Sequence, residues 1–268
     1  MSALYILPFD HRGSFQKMLF PDSKELSEEQ KNVIRKYKRV IFNSMLTIGK
    51  NRGYDDLAIL VDEEYGADIQ RDCKKLGIRN ILTTEKSGQK VFDFEYPDWK
   101  DHLLEFKPVY AKALIRVEMG EDHRVQNSRL KELQDFCEHQ QMGFLIEPLI
   151  EPNEADLGTC GGDKKRFDRE LRPGRFSEAV AEMHAAGVMP QVWKIEGTET
   201  REDMEVCSKA VFDGGRDDVQ IVILGRGETQ EKVDQWLSVS ATVKGVNGFA
   251  VGRTVFGETI NQHHHGQL

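Results

Sequence analysis

The first candidate for chemistry is a lysine in an otherwise apolar segment of this 268-residue sequence. Residues 189–197 (MPQVWKIEG) have the composition of a buried strand, and alternation places Val192, Lys194 and Glu196 on one face. A buried cation is costly unless it is paired or has a function. Partial desolvation lowers the pKa of a lysine, and a neutral amine is a nucleophile toward a carbonyl. Lys194 is therefore a candidate Schiff-base residue, and a structural salt bridge is the alternative.

A second lysine, Lys112, lies inside the predicted strand 109–117, in phase with Leu114 and Arg116. Two lysines that face one interior lower each other's pKa. A glutamate such as Glu147, in the predicted strand 144–149, can relay protons between an amine and a substrate. A core ion pair is the alternative explanation for Lys112.

Short apolar segments followed by helical patterns predict how these residues are positioned. The predicted strands are residues 4–9, 57–61, 78–83, 109–117, 144–149, 189–197, 219–224 and 246–251. Eight such units in about 250 residues predict an α/β fold, a (β/α)8 TIM barrel, as one domain over residues 1–268. Functional side chains of such barrels lie at the C-terminal ends of the strands. Those ends place Asp10 and Arg12 after strand one and Arg116 near the end of strand four.

Glycines and arginines follow the last two predicted strands. Gly225, Arg226 and Gly227 come after strand seven, and Gly252 and Arg253 come after strand eight. Because barrels often bind phosphate with the loops after these strands, the pattern predicts a phosphate site. Its match to a dinucleotide-binding fingerprint is weak, because the third glycine is missing. Glycines that only form tight turns are the other alternative.

Two segments depart from the regular pattern. Residues 151–173 are predicted to be one long polar loop, and loops of such length are usually functional. After strand eight only residues 254–268 remain, so we expect the closing helix of the barrel to be missing or truncated. The adjacent histidines 263–265 are expected to be solvated rather than to bind a metal.

Composition excludes several classes of protein. A net charge of −8 argues against a nucleic-acid or anionic membrane surface. No apolar run approaches the roughly 20 residues that span a bilayer, and no signal peptide is recognisable. The four cysteines show no CxxC pairing, which is typical of reduced thiols in the cytoplasm.

Metal-dependent chemistry has little support in the sequence. A zinc site needs dispersed histidines at strand ends, and only His11 is placed at one. A magnesium site built from Asp10, Asp62 and Glu64 is a residual alternative. We therefore expect no metal and no cofactor.

The strand ends together resemble the class I aldolases of the tagatose-bisphosphate aldolase group. The matching segments are residues 9–13 (FDHRG) and 60–66 (LVDEEYG), with Lys112, Glu147 and residues 194–196 (KIE). Residues 4–256 resemble the DUF2090 family, whose members occur alone or fused behind the kinase of myo-inositol catabolism as a 5-dehydro-2-deoxyphosphogluconate aldolase domain. Its distinctive strings here are GGD (161–163), FDRELRP (167–173), VWKIEG (192–197), GGRDDV (214–219), LGRG (224–227) and GFAVGRT (248–254).

The resemblance implies four catalytic roles. Lys194 is implied to be the Schiff-base lysine, and Glu147 the acid/base that shuttles protons during imine formation. Lys112 is implied to position this pair and to lower the pKa of Lys194. Asp10 is implied to handle the hydroxyl proton in carbon–carbon cleavage.

The resemblance also implies a substrate class. Arg253, with the amides of residues 225–227 and Gly252, is implied to hold the phosphate of a phosphorylated keto sugar or keto acid, and Arg12, Arg116 and Arg226 are further candidates for binding it. In the nearest case, 5-dehydro-2-deoxygluconate 6-phosphate is cleaved to dihydroxyacetone phosphate and malonate semialdehyde. A catalytically silent sugar-phosphate sensor and a non-covalent lyase or isomerase are the alternatives. We expect a homo-oligomer, with no nucleic-acid or membrane partner.

Overall fold

The structure is a computed structural model and describes residues 3–49 and 55–267. The strands are β1 (Leu4–Pro8), β2 (Leu57–Val61), β3 (Arg79–Thr83), β4 (Tyr110–Glu118), β5 (Gly143–Glu151), β6 (Val192–Glu196), β7 (Gln220–Leu224) and β8 (Val246–Ala250). The helices in this part of the chain are α1 (Gly13–Leu19), α2 (Glu28–Gly49), α3 (Glu63–Leu76), α4 (Trp99–Phe106), α5 (Arg124–His139), α6 (Glu154–Thr159), α7 (Lys164–Glu170), α8 (Arg172–Ala185), α9 (Arg201–Phe212), α10 (Gln230–Ser240) and α11 (Arg253–His264).

The eight strands form one closed parallel barrel in the order β1 to β8. It closes where Leu4, Tyr5 and Ile6 of β1 pair with residues 248–250 of β8. Gly248 permits this closure, because a Cβ at that position would lie 1.9 Å from the carbonyl oxygen of Leu4. The predicted (β/α)8 barrel is confirmed.

Strand alternation separates an inner from an outer apolar layer. The buried aliphatic side chains inside the barrel are Leu4, Ile6, Ala58, Leu60, Ile81, Leu145, Val192, Val222 and Ala250. On β6, Trp193 and Ile195 belong instead to the layer between the strands and the helices. The predicted alternation along β6 is therefore confirmed, and Lys194 shares the inner face with Val192.

Residues 151–173 are more ordered than the long loop that we expected. They contain α6 and α7, and the expectation of one irregular loop is wrong. Asn153 caps α6 by accepting a hydrogen bond from the amide of Asp156, whose carboxylate accepts one in return. Asp163 caps α7 through the amide of Lys165. These Asn and Asp residues are local signals for a helix start.

A helix of the same length as α9 follows β8, so the expectation that the closing helix is missing or truncated is wrong. The 12-residue helix α11 buries Phe256 and Ile260, one turn apart, against a cluster that includes Phe15 of α1. That spacing is the signal that the sequence interpretation overlooked. His263 and His264 lie in the last turn of α11, and Nδ1 of His263 is 3.0 Å from the hydroxyl of Tyr37.

The outer surface has an apolar groove between α2 and α11, with a volume of about 580 Å³. Among its lining side chains, Tyr5, Val40, Ile48 and Val255 are exposed.

In the described ranges, no helix has both the length and the apolar composition that a membrane crossing requires.

Candidate active site

Three neighbouring strands bring two lysines and a glutamate into the barrel. Lys112 lies on β4, Glu147 on β5 and Lys194 on β6. Leu145, two residues before Glu147, pairs with Val192, two residues before Lys194. Because strand residues two apart share a face, Glu147 and Lys194 lie one layer above Leu145 and Val192, toward the C-terminal ends of the strands. Lys112 is paired in register with Leu145, one layer lower.

Glu147 lies between the two amines. Its Oε1 atom is 2.6 Å from Nζ of Lys194, and its Oε2 atom is 3.0 Å from Nζ of Lys112. All three side chains are buried. The two ion pairs hold the three groups in one geometry, and the contact between Glu147 Oε1 and Lys194 is short enough for direct proton transfer. Oε2 of Glu147 is paired with Lys112 by charge but has no hydrogen-bond partner in the described chain.

Lys112 is the centre of a larger ion cluster. Its Nζ atom donates to Glu85 Oε1 at 2.7 Å and to Asp10 Oδ2 at 3.0 Å, in addition to its ion pair with Glu147. Burial alone would lower the pKa of Lys112, but the three carboxylates outweigh this effect and raise that pKa well above its ordinary value. Lys112 is therefore a cation, and Glu147 is the group that connects it to Lys194.

The three carboxylates differ in their protonation behaviour. Burial favours the neutral acid in each case, but the charges of Lys112 and Lys194 outweigh burial at Asp10 and Glu147 and hold the pKa of both below the ordinary range. At Glu85, burial outweighs Lys112 and Arg12, so the pKa is raised. The Oε2 atom of Glu85 is buried without a hydrogen-bond partner.

Glu85 was not predicted from the sequence. It follows β3 at an isolated antiparallel bridge with Phe94, where the chain turns back over the end of the barrel. Residues 81, 83 and 85 point to the same side of an extended chain, so the position of Ile81 inside the barrel indicates that Glu85 also points inward. The predicted strand ended at residue 83, and the alternation was therefore not extended to Glu85.

His11 is a second residue outside the predicted catalytic set. It lines the same cavity as Lys194, and its Nδ1 atom is buried without a hydrogen-bond partner. Burial, with smaller contributions from Arg253 and Lys194, outweighs the nearby charge of Asp10 and lowers the pKa of His11 to about 4. The imidazole is therefore neutral at pH 7.

A cavity of about 360 Å³ opens above these groups. Asp10, Glu85, Lys112, Glu147 and Lys194 line it, together with Leu114, Arg116 and residues 11–14, 17 and 86–89. This volume is within the range of small-molecule sites. The cavity therefore gives a small carbonyl compound access to the amine of Lys194.

Arg12 joins two loops at the edge of this cavity. Its guanidinium forms an ion pair with Glu95 and donates to the backbone oxygen of Glu85. These contacts connect the loop after β1 to the segment after β3. Arg116 also lines the cavity and forms an ion pair with Glu151.

The predicted phosphate-binding residues in the loops after β7 and β8 do not line this cavity. Arg226 forms 2.9 Å ion pairs with Asp168 and with Glu196. Arg253 donates to the backbone oxygen of Arg226 at 3.2 Å and lies against Gly227, which has a φ of +79°.

Gly252 and Gly225 also have close neighbours. A Cβ at Gly252 would lie 2.0 Å from the oxygen of Pro8, so this glycine is required for packing against β1. A Cβ at Gly225 would lie 3.3 Å from a methyl carbon of Val251. The phosphate-binding role of these loops stays a prediction.

The acidic residues considered for a magnesium site do not converge. Asp62 is fully buried, forms an ion pair with Lys38 and caps α3 by accepting from the amide of Tyr65, whereas Asp10 contacts Lys112. Within residues 3–49 and 55–267, no three His, Cys, Asp or Glu side chains are grouped to hold a metal ion.

The closed parallel barrel defines the class of the protein by fold, a (β/α)8 barrel with a buried lysine–carboxylate cluster at the C-terminal ends of its strands. The chain belongs to the DUF2090 family. The model of that family, described as "Uncharacterized protein conserved in bacteria (DUF2090)", matches residues 1–268. A search among curated proteins gave no significant match.

Solved structures support the fold assignment. A Schiff-base-forming fructose-1,6-bisphosphate aldolase is similar at 14% identity, with a TM-score of 0.61 over 99% of this chain and 94% of the aldolase. Cgl0159 from Corynebacterium glutamicum is 15% identical, with a TM-score of 0.61 and coverages of 99% and 86%. Deoxyribose phosphate aldolase from Aeropyrum pernix is 10% identical, with a TM-score of 0.50 and coverages of 97% and 88%. At these identities the likeness establishes the shared barrel fold.

Proposed function

We propose that this protein is a class I aldolase in which Lys194 forms a Schiff base with a phosphorylated keto sugar or keto acid. The observation that carries the proposal is the buried 2.6 Å contact between Lys194 Nζ and Glu147 Oε1 at the floor of an open cavity. A nucleophilic amine with an adjacent acid/base is the arrangement that imine formation requires.

The proposed reaction begins when the ammonium group of Lys194 gives a proton to Glu147 and the resulting neutral amine attacks the substrate carbonyl. A second proton passes from nitrogen to oxygen through Glu147 to give the carbinolamine. The Glu147 acid then protonates the carbinolamine hydroxyl, which leaves as water, and Glu147 is ionised again. The resulting protonated imine accepts the electron pair of the carbon–carbon bond that breaks. Asp10 takes the proton of the substrate hydroxyl as the aldehyde forms, and the ion pair with Lys112 keeps Asp10 ionised for this step.

The reaction ends by the reverse of imine formation. The enamine left on Lys194 takes up a proton at carbon, and water hydrolyses the imine to release the ketone. Glu147 again transfers the protons at nitrogen and oxygen. The Lys112 cation holds Asp10 and Glu147 within reach of one substrate without mutual repulsion.

The nearest substrate implied by the family resemblance is 5-dehydro-2-deoxygluconate 6-phosphate. Its cleavage would yield dihydroxyacetone phosphate and malonate semialdehyde. We include in the proposal a role in the catabolism of inositol. The four cysteines are buried as free thiols, which supports a cytoplasmic enzyme. Self-association is a further part of the proposal, and light scattering measures it.

Borohydride trapping tests the proposal directly. The protein is incubated with dihydroxyacetone phosphate and sodium borohydride, and the modified peptide is located by mass spectrometry. We expect a reduced adduct on Lys194 that is absent from Lys194→Met. If phosphorylated ketones bind to the protein but leave no adduct, the aldolase proposal is wrong and a sugar-phosphate sensor or a non-covalent lyase takes its place.

A further inference from the structure

Glu85 is the one carboxyl of the buried ion cluster to which the proposed reaction gives no role. Its side chain is buried and lines the cavity. Its Oε1 atom accepts a 2.7 Å hydrogen bond from Nζ of Lys112, whereas its Oε2 atom is buried with no hydrogen-bond partner in the described chain. A buried polar atom without a partner costs free energy. The Oε2 atom is therefore a candidate contact for a ligand in the cavity.

The charges of the cluster balance without Glu85. Lys112 and Lys194 supply the positive charges, and Asp10 and Glu147 supply an equal number of negative charges. An ionised Glu85 would add a negative charge without a matching cation, and burial of an uncompensated charge is costly. The proposed reaction keeps this balance, because its protons pass between Lys194, Glu147, Asp10 and the substrate. The charge count therefore favours a protonated Glu85.

The other groups near Glu85 do not supply the missing cation. Arg12 forms an ion pair with Glu95 and donates to the backbone oxygen of Glu85. The imidazole of His11 is neutral at pH 7. Burial of the Glu85 carboxyl outweighs the charges of Lys112 and Arg12, so its pKa is raised. These surroundings agree with a neutral acid at this position.

The hydrogen bonds of Glu85 indicate which of its oxygens carries the proton. An ammonium group has donors and no acceptor, so the oxygen that contacts Lys112 must accept. The carbonyl oxygen of the neutral acid is therefore Oε1, and the hydroxyl is at Oε2. This hydroxyl has no acceptor in the described chain, although Glu85 lines the cavity. An oxygen of a bound substrate would be its acceptor.

Glu85 and Asp10 share one partner. Nζ of Lys112 donates to Asp10 Oδ2 at 3.0 Å and to Glu85 Oε1 at 2.7 Å, so the two carboxyl groups lie side by side. In the proposed reaction, Asp10 takes the proton of the substrate hydroxyl that becomes the aldehyde. The oxygen of that hydroxyl gains negative charge as its proton leaves, and a hydrogen-bond donor beside it stabilises this charge. A protonated Glu85 is placed to be that donor.

We propose that Glu85 is a further catalytic residue, a neutral acid whose Oε2 hydroxyl donates a hydrogen bond to the substrate oxygen from which Asp10 takes the proton. This inference rests on the proposed aldolase function and deepens it. The two carboxyl groups have opposite roles at one oxygen: ionised Asp10 accepts its proton, and neutral Glu85 stabilises its negative charge. Glu85 keeps its own proton throughout, so the proton balance of the reaction is unchanged.

The test compares two substitutions at Glu85 in the direction of synthesis, with dihydroxyacetone phosphate as the ketone and malonate semialdehyde or glyceraldehyde as the aldehyde. Glu85→Gln keeps an acceptor for Lys112 and places an amide donor where the hydroxyl was, so kcat/KM should stay within about tenfold of the wild type. Glu85→Met removes the donor, and kcat/KM should fall by about 10²–10³, the usual effect of losing one donor to a developing oxyanion. Borohydride trapping of dihydroxyacetone phosphate alone involves no aldehyde and should be unchanged in both variants.

Other roles of Glu85 predict different results. If Glu85 only supports Lys112, Glu85→Met would slow borohydride trapping as much as the aldol reaction, and this outcome would overturn the inference. If Glu85 acts as an ionised base, Glu85→Gln would lose as much activity as Glu85→Met, which would overturn it as well. Glu105→Gln, at an exposed ion pair with Arg71, is the matched control and should keep both rates.

A measurement on the wild type does not depend on whether Glu85→Met folds. The side-chain carboxyl carbons of glutamate are labelled with ¹³C, and the NMR signal of Glu85 is assigned by its absence from Glu85→Gln. We expect this signal to be that of a protonated acid at pH 7, where an unperturbed glutamate is ionised. An ionised Glu85 at this pH would overturn the inference.

A failure of the proposed function is recognised separately. If the wild type gives neither an aldol product nor a borohydride adduct, the aldolase proposal is wrong, and the donor role of Glu85 is overturned with it. If the wild type gives both and Glu85→Met reacts like the wild type, the aldolase proposal stands and only the inference on Glu85 is overturned.

Discussion

The Oε1 atom of Glu147 lies 2.6 Å from the amine of Lys194. The other oxygen of the same carboxylate lies 3.0 Å from Nζ of Lys112, so one side chain contacts both buried lysines. Lys112 stays a cation because it has three carboxylate partners. Glu147 is thereby held ionised and in place beside the amine that we propose as the nucleophile.

Glu147→Gln keeps the size of the side chain but removes its ability to exchange protons. We expect the rate of imine formation with dihydroxyacetone phosphate to fall by about 10²–10⁴, because general acid–base catalysis contributes roughly that much. The rate is measured by quenching with borohydride at successive times. Glu132→Gln, at an ion pair on the surface of α5 with Lys100, is the control. An unchanged trapping rate in Glu147→Gln would exclude Glu147 as the proton shuttle.

Lys112→Met leaves Asp10, Glu85 and Glu147 buried together without their shared cation. We expect the free energy of unfolding to fall by about 3–5 kcal/mol, the usual cost of removing one partner of a buried ion pair. The loss should be larger at pH 8 than at pH 5, since protonation of the carboxyl groups at lower pH relieves their repulsion. Urea unfolding at the two pH values measures this difference. A loss that is independent of pH would show that repulsion among the carboxylates is not its cause.

Asp10→Asn tests the linkage between the ion cluster and acid stability. The pKa of Asp10 is lower in the folded protein than in the unfolded chain, where it is about 4. Its stabilising contribution is therefore complete above that pH and is lost as the pH falls toward the folded-state pKa. We expect Asp10→Asn to be less stable than the wild type at pH 7, with a difference that shrinks below about pH 4. Urea unfolding across this range checks the trend, and a constant difference would contradict it.

His11 should not titrate in the physiological range. With a folded-state pKa of about 4, its imidazole is neutral between pH 5 and 8, and nitrogen chemical shifts in an NMR titration should show no protonation there. The unfolded chain binds this proton at about pH 6.5, so His11 makes stability increase with pH between about 4 and 6.5. His11→Gln should flatten this part of the stability profile. A midpoint near 6.5 for folded His11 would contradict the prediction.

The parts of the site that could be predicted from the sequence are those that depend on local alternation. Lys112, Glu147 and Lys194 each lie in an apolar strand, and a period of two residues is enough to place them on the inner face. Glu85 was missed because it lies beyond β3, in a segment that turns back to pair with Phe94.

Contacts between distant segments were the least predictable features. The partners of Arg226 are Asp168 and Glu196, from α7 and β6, and no spacing in the sequence indicates that they meet. Helix α11 was missed for a different reason, since its charged and polar residues conceal the one-turn spacing of Phe256 and Ile260.

The strand register described for β4, β5 and β6 makes assembly of the site all-or-none. A shift of β6 by one residue would replace Lys194 by Ile195 inside the barrel, and a shift of β5 would replace Glu147 by Ile146 or Pro148. Either shift separates the amine of Lys194 from the carboxylate of Glu147. The stoichiometry of any covalent label on Lys194 therefore counts the molecules that have folded with native strand pairing, and the same experiment that probes the chemistry also measures the quality of a preparation.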